Sequence, residues 1–225
     1  MPKPSPAPKS ALTVVFPPLR ERFRALTRDT GGFLVPMVMW SLLGLVLLAT
    51  AQKGDVVLWV NARHQPIWDG FFRYATYLGD GLFWFLLLAL LAARYRRFGL
   101  LALLAAGVSA LVVQGLKNMF DVERPMRYLV GHDLHFVPGV DVHGFLSFPS
   151  GHTGAAFTGF FLLAAWSRRP WVGALCFVGA ALAGFSRIYL VQHFLADVLV
   201  GSLLGVLVAG AMLLAFRGRG WFRNA

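Results

Sequence analysis

The sequence predicts an all-α integral membrane protein, a bundle of six transmembrane helices with both termini cytoplasmic. Three observations predict it. The composition is 57% hydrophobic and 14% charged, with a mean hydropathy of +0.64. Six apolar segments approach the length of a membrane crossing, and the basic residues gather in alternate connections between them.

The apolar segments run from Phe33 to Ala51, Phe72 to Ala93, Phe98 to Leu116, His152 to Trp166, Trp171 to Arg187 and His193 to Phe216. Helix is the expected state because these are continuous Leu/Ala/Val/Phe runs, and a helix satisfies its own backbone polar groups in lipid. A β-barrel would instead show short alternating segments. The fourth segment is the shortest. Gly173, Gly179, Gly184, Gly201, Gly205 and Gly210 allow close helix approach along the last two. Asp80, between Gly79 and Gly81, is expected to cap or break the second helix.

No composition break or long-period repeat marks a second domain in 225 residues. The expected layout is a cytoplasmic N-terminal segment (1–30), a six-helix membrane domain (31–217) and a basic cytoplasmic tail (218–225). Within the first, Pro2 to Pro8 is proline-rich and expected to be disordered, and Leu12 to Leu26 mixes apolar and basic residues as an interfacial helix does. Ala49-Thr50-Ala51 resembles a signal-peptidase site. The long leading segment and long apolar run favour an uncleaved anchor. Cys176 is the single cysteine, so packing must hold the fold.

Orientation follows from the retention of Lys and Arg on the cytoplasmic side of short loops. Fourteen of the 21 basic residues fall on one side: Lys3, Lys9, Arg20, Arg22, Arg24 and Arg28 before the first span, Arg94, Arg96 and Arg97 after the second, Arg168 and Arg169 after the fourth, and Arg217, Arg219 and Arg223 at the end. The other side keeps Lys53, Arg63, Arg73, Lys117, Arg124, Arg127 and Arg187. Anionic inner-leaflet lipid meets most of the +11 charge, so no nucleic-acid partner is needed.

Three polar stretches interrupt the apolar chain on the sparsely basic side: Lys117 with Arg124-Pro125, then Pro149-Ser150-Gly151-His152, then Ser186-Arg187 with His193 and Asp197. Charge is expensive at membrane depth and marks function there. Asp197, four residues after His193, can orient the imidazole and leave its other nitrogen as nucleophile or base. A chain break over Ile188 to Gln192 would turn Arg187 and His193 toward one anion, and the arginine fork suits phosphate oxygens. Ser150 and Gly151 open the fourth span, where unpaired amides and the helix dipole favour an anion, and His152 can protonate a leaving group. Each stretch taken singly also reads as an ordinary helix cap or interfacial charge.

Taken together, K-x6-R-P, P-S-G-H and S-R-x5-H-x3-D specify eleven positions, and the chain meets every one. In these motifs the chain resembles the type 2 phosphatidic acid phosphatase (PAP2) superfamily of membrane lipid phosphate phosphatases, whose site is similar to that of vanadium haloperoxidases. The resemblance implies that His193 forms a phosphohistidine, Asp197 orients it and His152 protonates the leaving group. It implies that Lys117, Arg124, Ser150, Gly151 and Arg187 bind phosphate, with no metal or other cofactor.

A site at the outer membrane face implies a membrane lipid phosphate as substrate and the phospholipid bilayer as setting. The expected location is the cytoplasmic membrane, with the active site facing the periplasm or exterior. Undecaprenyl diphosphate is the first expectation, with lipid A 1-phosphatase and phosphatidylglycerophosphatase activities as alternatives. A lipid phosphotransferase or a non-catalytic anion transporter are the readings from other classes. His132, Asp133, His135 and His143 share the loop between the third and fourth spans but match no strong zinc spacing, so a solvated loop is expected there.

Overall fold

The computed structural model describes residues 17–216. Pro2 to Pro8, the start of the expected interfacial helix and the tail 218–225 lie outside the described residues. Among those described, every regular element is helical: α1 (Leu19–Thr50), α2 (Asp55–Asn61), α3 (Pro66–Ala75), a 3-10 turn (Thr76–Gly79), α4 (Gly81–Arg94), α5 (Arg96–Phe120), α6 (Pro125–Tyr128), α7 (Gly151–Ser167), α8 (Pro170–Tyr189) and α9 (Leu195–Phe216).

Among the described residues, four helical stretches are long and apolar enough to cross a membrane: Leu19–Thr50, Arg96–Tyr128, Pro170–Tyr189 and Leu195–Phe216. Pro66–Gly79 with Gly81–Arg94 makes a fifth if that pair, bent by 50°, is one span. The second expected span is therefore broken. Its break is at Asp80, whose Oδ1 accepts from the main-chain N–H groups of Leu82 (2.8 Å) and Phe83 (3.0 Å) and so starts α4 afresh. The first span is longer than expected, because α1 carries the Leu19–Leu26 part of the interfacial stretch into one 32-residue helix.

α7 has 17 residues, about 25 Å at 1.5 Å per residue, and packs against α1, α4, α5, α8 and α9. It is apolar all round because it is enclosed all round. Phe157, Phe161 and Leu162 are buried in a core with Phe33, Leu88 and Leu213, and Phe33 meets Phe157 and Phe161 edge-on. The outward faces of α1 and α4 expose Val38, Leu42, Leu45, Leu86 and Leu90, as lipid-facing helices do. A second cluster joins α2 and α3 to residues 188–199 through Val57, Phe72, Tyr189 and Phe194.

Of the six glycines expected to permit close approach, Gly210 stands at ordinary contact distance; the other five are tight. Gly201 and Gly205 on α9 are the ones that matter to the site. A Cβ on either would come within 2.6 Å of a main-chain oxygen of the α7 segment, that of Ser150 or Gly154. At the opposite end of the bundle, Arg22 of α1 donates to the Leu214 carbonyl of α9 (2.9 Å), and Arg168 after α7 lies 4.0 Å from Asp29 of α1.

Candidate active site

All three polar stretches meet at one end of the bundle, where the C-terminal ends of α5 and α8 face the N-terminal ends of α7 and α9. Lys117 occupies the last turn of α5 and donates to the Leu146 carbonyl. Arg124 is fixed from three directions: its main-chain N–H donates to the Gly144 carbonyl (2.8 Å), Nε to the Phe145 carbonyl (2.8 Å) and Nη1 to Oε1 of Gln192 (2.8 Å). Gln192 passes the restraint on by donating from Nε2 to the Asp141 carbonyl (2.9 Å).

Ser150 is the N-cap of α7. Its Oγ accepts from Thr153 Oγ1 (2.8 Å) and more loosely from the Thr153 N–H (3.4 Å), while its own N–H donates to the Asp197 carbonyl (3.0 Å). The N–H of Gly151, at the first helical position, has no acceptor within the helix. A Cβ there would be 3.7 Å from Lys117 Cε, at ordinary contact distance, so the Lys117 stem lies beside the start of α7. His152 follows, within electrostatic range of Arg187, His193, Arg124 and Lys117.

The expected break after Arg187 is present and has a definite form. The carbonyl of Arg187 accepts from the N–H groups of Gln192 (2.9 Å) and His193 (3.1 Å), and that of Ile188 from Val191 (3.1 Å), which together end α8 in a Schellman motif. Val191 takes the left-handed position at φ 58°, where glycine is usual. A β-branched residue in that conformation is strained by about 1–2 kcal/mol, and the buried cluster around it offsets that strain.

His193 therefore precedes α9, whose first helical residue is Leu195, rather than lying on the helix as the i, i+4 spacing suggests. The pairing with Asp197 survives because Asp197 is the third helical residue and reaches back. Its Oδ2 accepts from the Phe194 N–H (2.9 Å), from Ser147 Oγ (2.5 Å) and faces His193 Nδ1 (3.3 Å). It thus caps the helix, as half of a capping box does, while orienting the imidazole. His193 and Asp197 are 2% and 3% exposed. Burial pulls the pKa of His193, in the break between two spans, well below its ordinary value, against the opposing pull of Asp197. Burial thus favours the neutral ring, whose Nδ1 faces Asp197.

Arg187 donates from Nη1 to Thr76 Oγ1 (2.6 Å), while its Nε is buried without a hydrogen-bond partner. A buried guanidinium N–H without an acceptor is costly, and an anion in the site would satisfy it. Three contributors lie outside the motifs: Ser147, Gln192 and Thr76. Gln192 had a signal, being a polar side chain beside His193 at membrane depth; Ser147 and Thr76 had none. A cavity of about 560 Å³ opens between α4, α5 and α7, with Trp84, Leu103 and Ala106 among its walls and Lys117 and His152 at the site end.

In the loop between α6 and α7, expected to be solvated, His132 and His143 join no ligand cluster among the described residues, whereas His135 meets His64 and Asp69, far off in sequence.

Comparison with known proteins gives a consistent result. The PAP2 superfamily model matches residues 98–221. Phosphatidylglycerophosphatase B of Bacillus subtilis is 33% identical over 158 residues, covering 64% of this chain and 73% of that protein. The lipid A 1-phosphatase of Porphyromonas gingivalis is 42% identical over 64 residues, which span 28% of this chain but only 14% of that protein. Among solved structures, LpxE of Aquifex aeolicus superposes with a TM-score of 0.64 at 31% identity, over 72% of this chain and 95% of that one. A transmembrane PAP2-type phosphatidylglycerolphosphate phosphatase from Bacillus subtilis gives 0.61 at 28% identity, over 81% and 96%. The chain therefore belongs to the PAP2 superfamily, as one of its membrane lipid phosphatases.

Proposed function

We propose that this protein removes phosphate from a lipid at the outer face of the cytoplasmic membrane through a phosphohistidine on His193. The observation that carries the lipid assignment is the cavity between α4, α5 and α7: it joins helices with lipid-facing surfaces to Lys117 and His152, so a chain lying in the bilayer can present its phosphate to the site. Nε2 of His193 attacks phosphorus, the bond to the leaving oxygen breaks, and His152 donates the proton that oxygen needs. Asp197 holds the Nδ1 proton throughout and stabilises the cationic ring. Water then gives a proton back to His152 as it attacks the phosphohistidine, releasing inorganic phosphate and restoring both histidines. Lys117, Arg124, Arg187, Ser150 and the Gly151 N–H surround the phosphoryl oxygens and stabilise the charge of the transition state without a metal.

The six-span layout with cytoplasmic termini is part of the same reading. α7 counts as a crossing despite its length, because it begins at the site and ends beside Asp29 at the far end of the bundle. The start of α1 and the end of α9 meet at that far end, where the basic residues gather. Residues 31–217 then form the membrane domain, flanked by cytoplasmic segments 1–30 and 218–225. The relatives' names move phosphatidylglycerophosphate and lipid A to the head of the substrate panel, ahead of undecaprenyl diphosphate.

The test is phosphate release at 25 °C in EDTA by purified protein in detergent, given these three lipids and a water-soluble phosphomonoester. The expected outcome is metal-independent release, faster for a lipid than for the soluble ester and abolished in His193→Ala. Release surviving in His193→Ala would overturn the nucleophile assignment. Lipid consumed without free phosphate would point to transfer onto an acceptor.

A further inference from the structure

The cluster that His135 joins lies outside the eleven motif positions. His64, in the connection between α2 and α3, Asp69, in the first turn of α3, and His135, in the loop after α6, each offer one ligand atom, and these atoms all lie within 4.8 Å of one another. The imidazoles of His64 and His135 are stacked, 3.7 Å between centroids at 10°. His135 Nε2 is 2.8 Å from Asp69 Oδ2.

Two further contacts hold these ligands in place. Asp69 Oδ1 accepts from the Tyr189 hydroxyl (2.6 Å), which aims the other oxygen at the histidines. Asn61 clamps the main chain of His135 from both sides, donating to its carbonyl (2.8 Å) and accepting from its N–H (2.9 Å). Hydrogen-bonded carboxylates and anchored histidines are how metal sites fix their ligands from the layer behind.

We propose that His64, Asp69 and His135 form a zinc site on the outer face, with water as fourth ligand. Two imidazoles and a carboxylate suit a borderline divalent cation, and zinc takes nitrogen at about 2.0–2.1 Å and carboxylate oxygen at about 2.0–2.2 Å in a tetrahedron. Such a tetrahedron sets its ligand atoms about 3.3 Å apart. The His135–Asp69 pair opens by a few tenths of an ångström to admit the ion, and the exposed His64 ring turns out of its stack to complete the set. The ion would tie the α2–α3 corner to the loop that runs on to Gly144, Phe145 and Leu146, whose carbonyls hold Arg124 and Lys117. Its role is to brace the rim of the active site, with no part in the phosphoryl chemistry.

The test uses tag-free, EDTA-stripped and dialysed full-length protein in detergent. Isothermal titration with zinc chloride is expected to show one ion per chain, and cobalt(II) the intense visible bands of a tetrahedral site. His64→Ala and His135→Gln should each weaken zinc at least tenfold, and zinc should raise the melting temperature of the parent but not of His64→Ala. His132→Ala, His143→Ala and the inactive His193→Ala should bind as the parent does. Absence of stoichiometric zinc, retention of full affinity by both His64→Ala and His135→Gln, or loss of zinc in His193→Ala would each overturn the proposal. Because His193→Ala separates zinc binding from turnover, failure here leaves the phosphatase reading intact, and the reverse also holds.

Discussion

Replacing Asp197 with asparagine tests the site where its geometry is most specific. The carboxylate Oδ2 has three donors around it: Ser147 Oγ at 2.5 Å, the Phe194 N–H at 2.9 Å and His193 Nδ1 at 3.3 Å. In Asp197→Asn the amide oxygen can take the Oδ2 position and serve all three donors, so the helix cap is kept, but the charge is lost. Two unit charges about 4 Å apart interact by about 4 kcal/mol at an effective dielectric of 20, and the developing phosphohistidinium forfeits that stabilisation. At about 1.4 kcal/mol per decade this is roughly a thousandfold. In the serine-protease triad, where a wrong tautomer adds to the lost charge, the same substitution lowers kcat about ten-thousandfold. Steady-state phosphate release should therefore fall by about 10³ to 10⁴ in kcat with the melting temperature little changed. A loss smaller than tenfold in a protein that melts normally would refute the orienting role.

Two further outcomes follow from contacts outside the motifs. Gln192→Ala frees Arg124 Nη1 and the Asp141 carbonyl; KM should rise about tenfold with a smaller change in kcat, since a bond to a charged group contributes about 1.5–3 kcal/mol and Arg124 keeps its carbonyl partners. Gly205→Ala drives a Cβ to 2.6 Å from the Gly154 carbonyl; the helices must separate, which should cost about 1–3 kcal/mol and lower the melting temperature, whereas Gly210→Ala, at ordinary contact distance, should leave it unchanged.

The eleven motif positions were legible because phosphate chemistry demands particular side chains at fixed spacing, and the structure brings those positions to one end of the bundle. Their supports were not. Gln192 and Ser147 act through loop segments whose course depends on tertiary packing, and Thr76 reaches Arg187 across 111 residues. Asp80 was readable as a cap from its glycine neighbours, but the 50° bend it accompanies was not, since hydropathy is blind to direction. α2 and α3 carry too few residues to show against the apolar background. The partners of His135 escaped for a related reason: His64 and Asp69 lie 71 and 66 residues away, and spacing rules see only neighbours.

The glycine contacts between α7 and α9 have a consequence for how such a protein can change. His152 lies in the first turn of one of these helices and His193 precedes the other, and the two helices are seated main chain against main chain at Gly201 and Gly205. A Cβ added at either glycine would force the seam apart, so the placement of His152 relative to His193 allows no larger residue there. The lipid-facing surfaces of α1 and α4 carry no such restriction. Substrate preference can therefore diversify along the membrane flank while the reacting centre keeps one geometry.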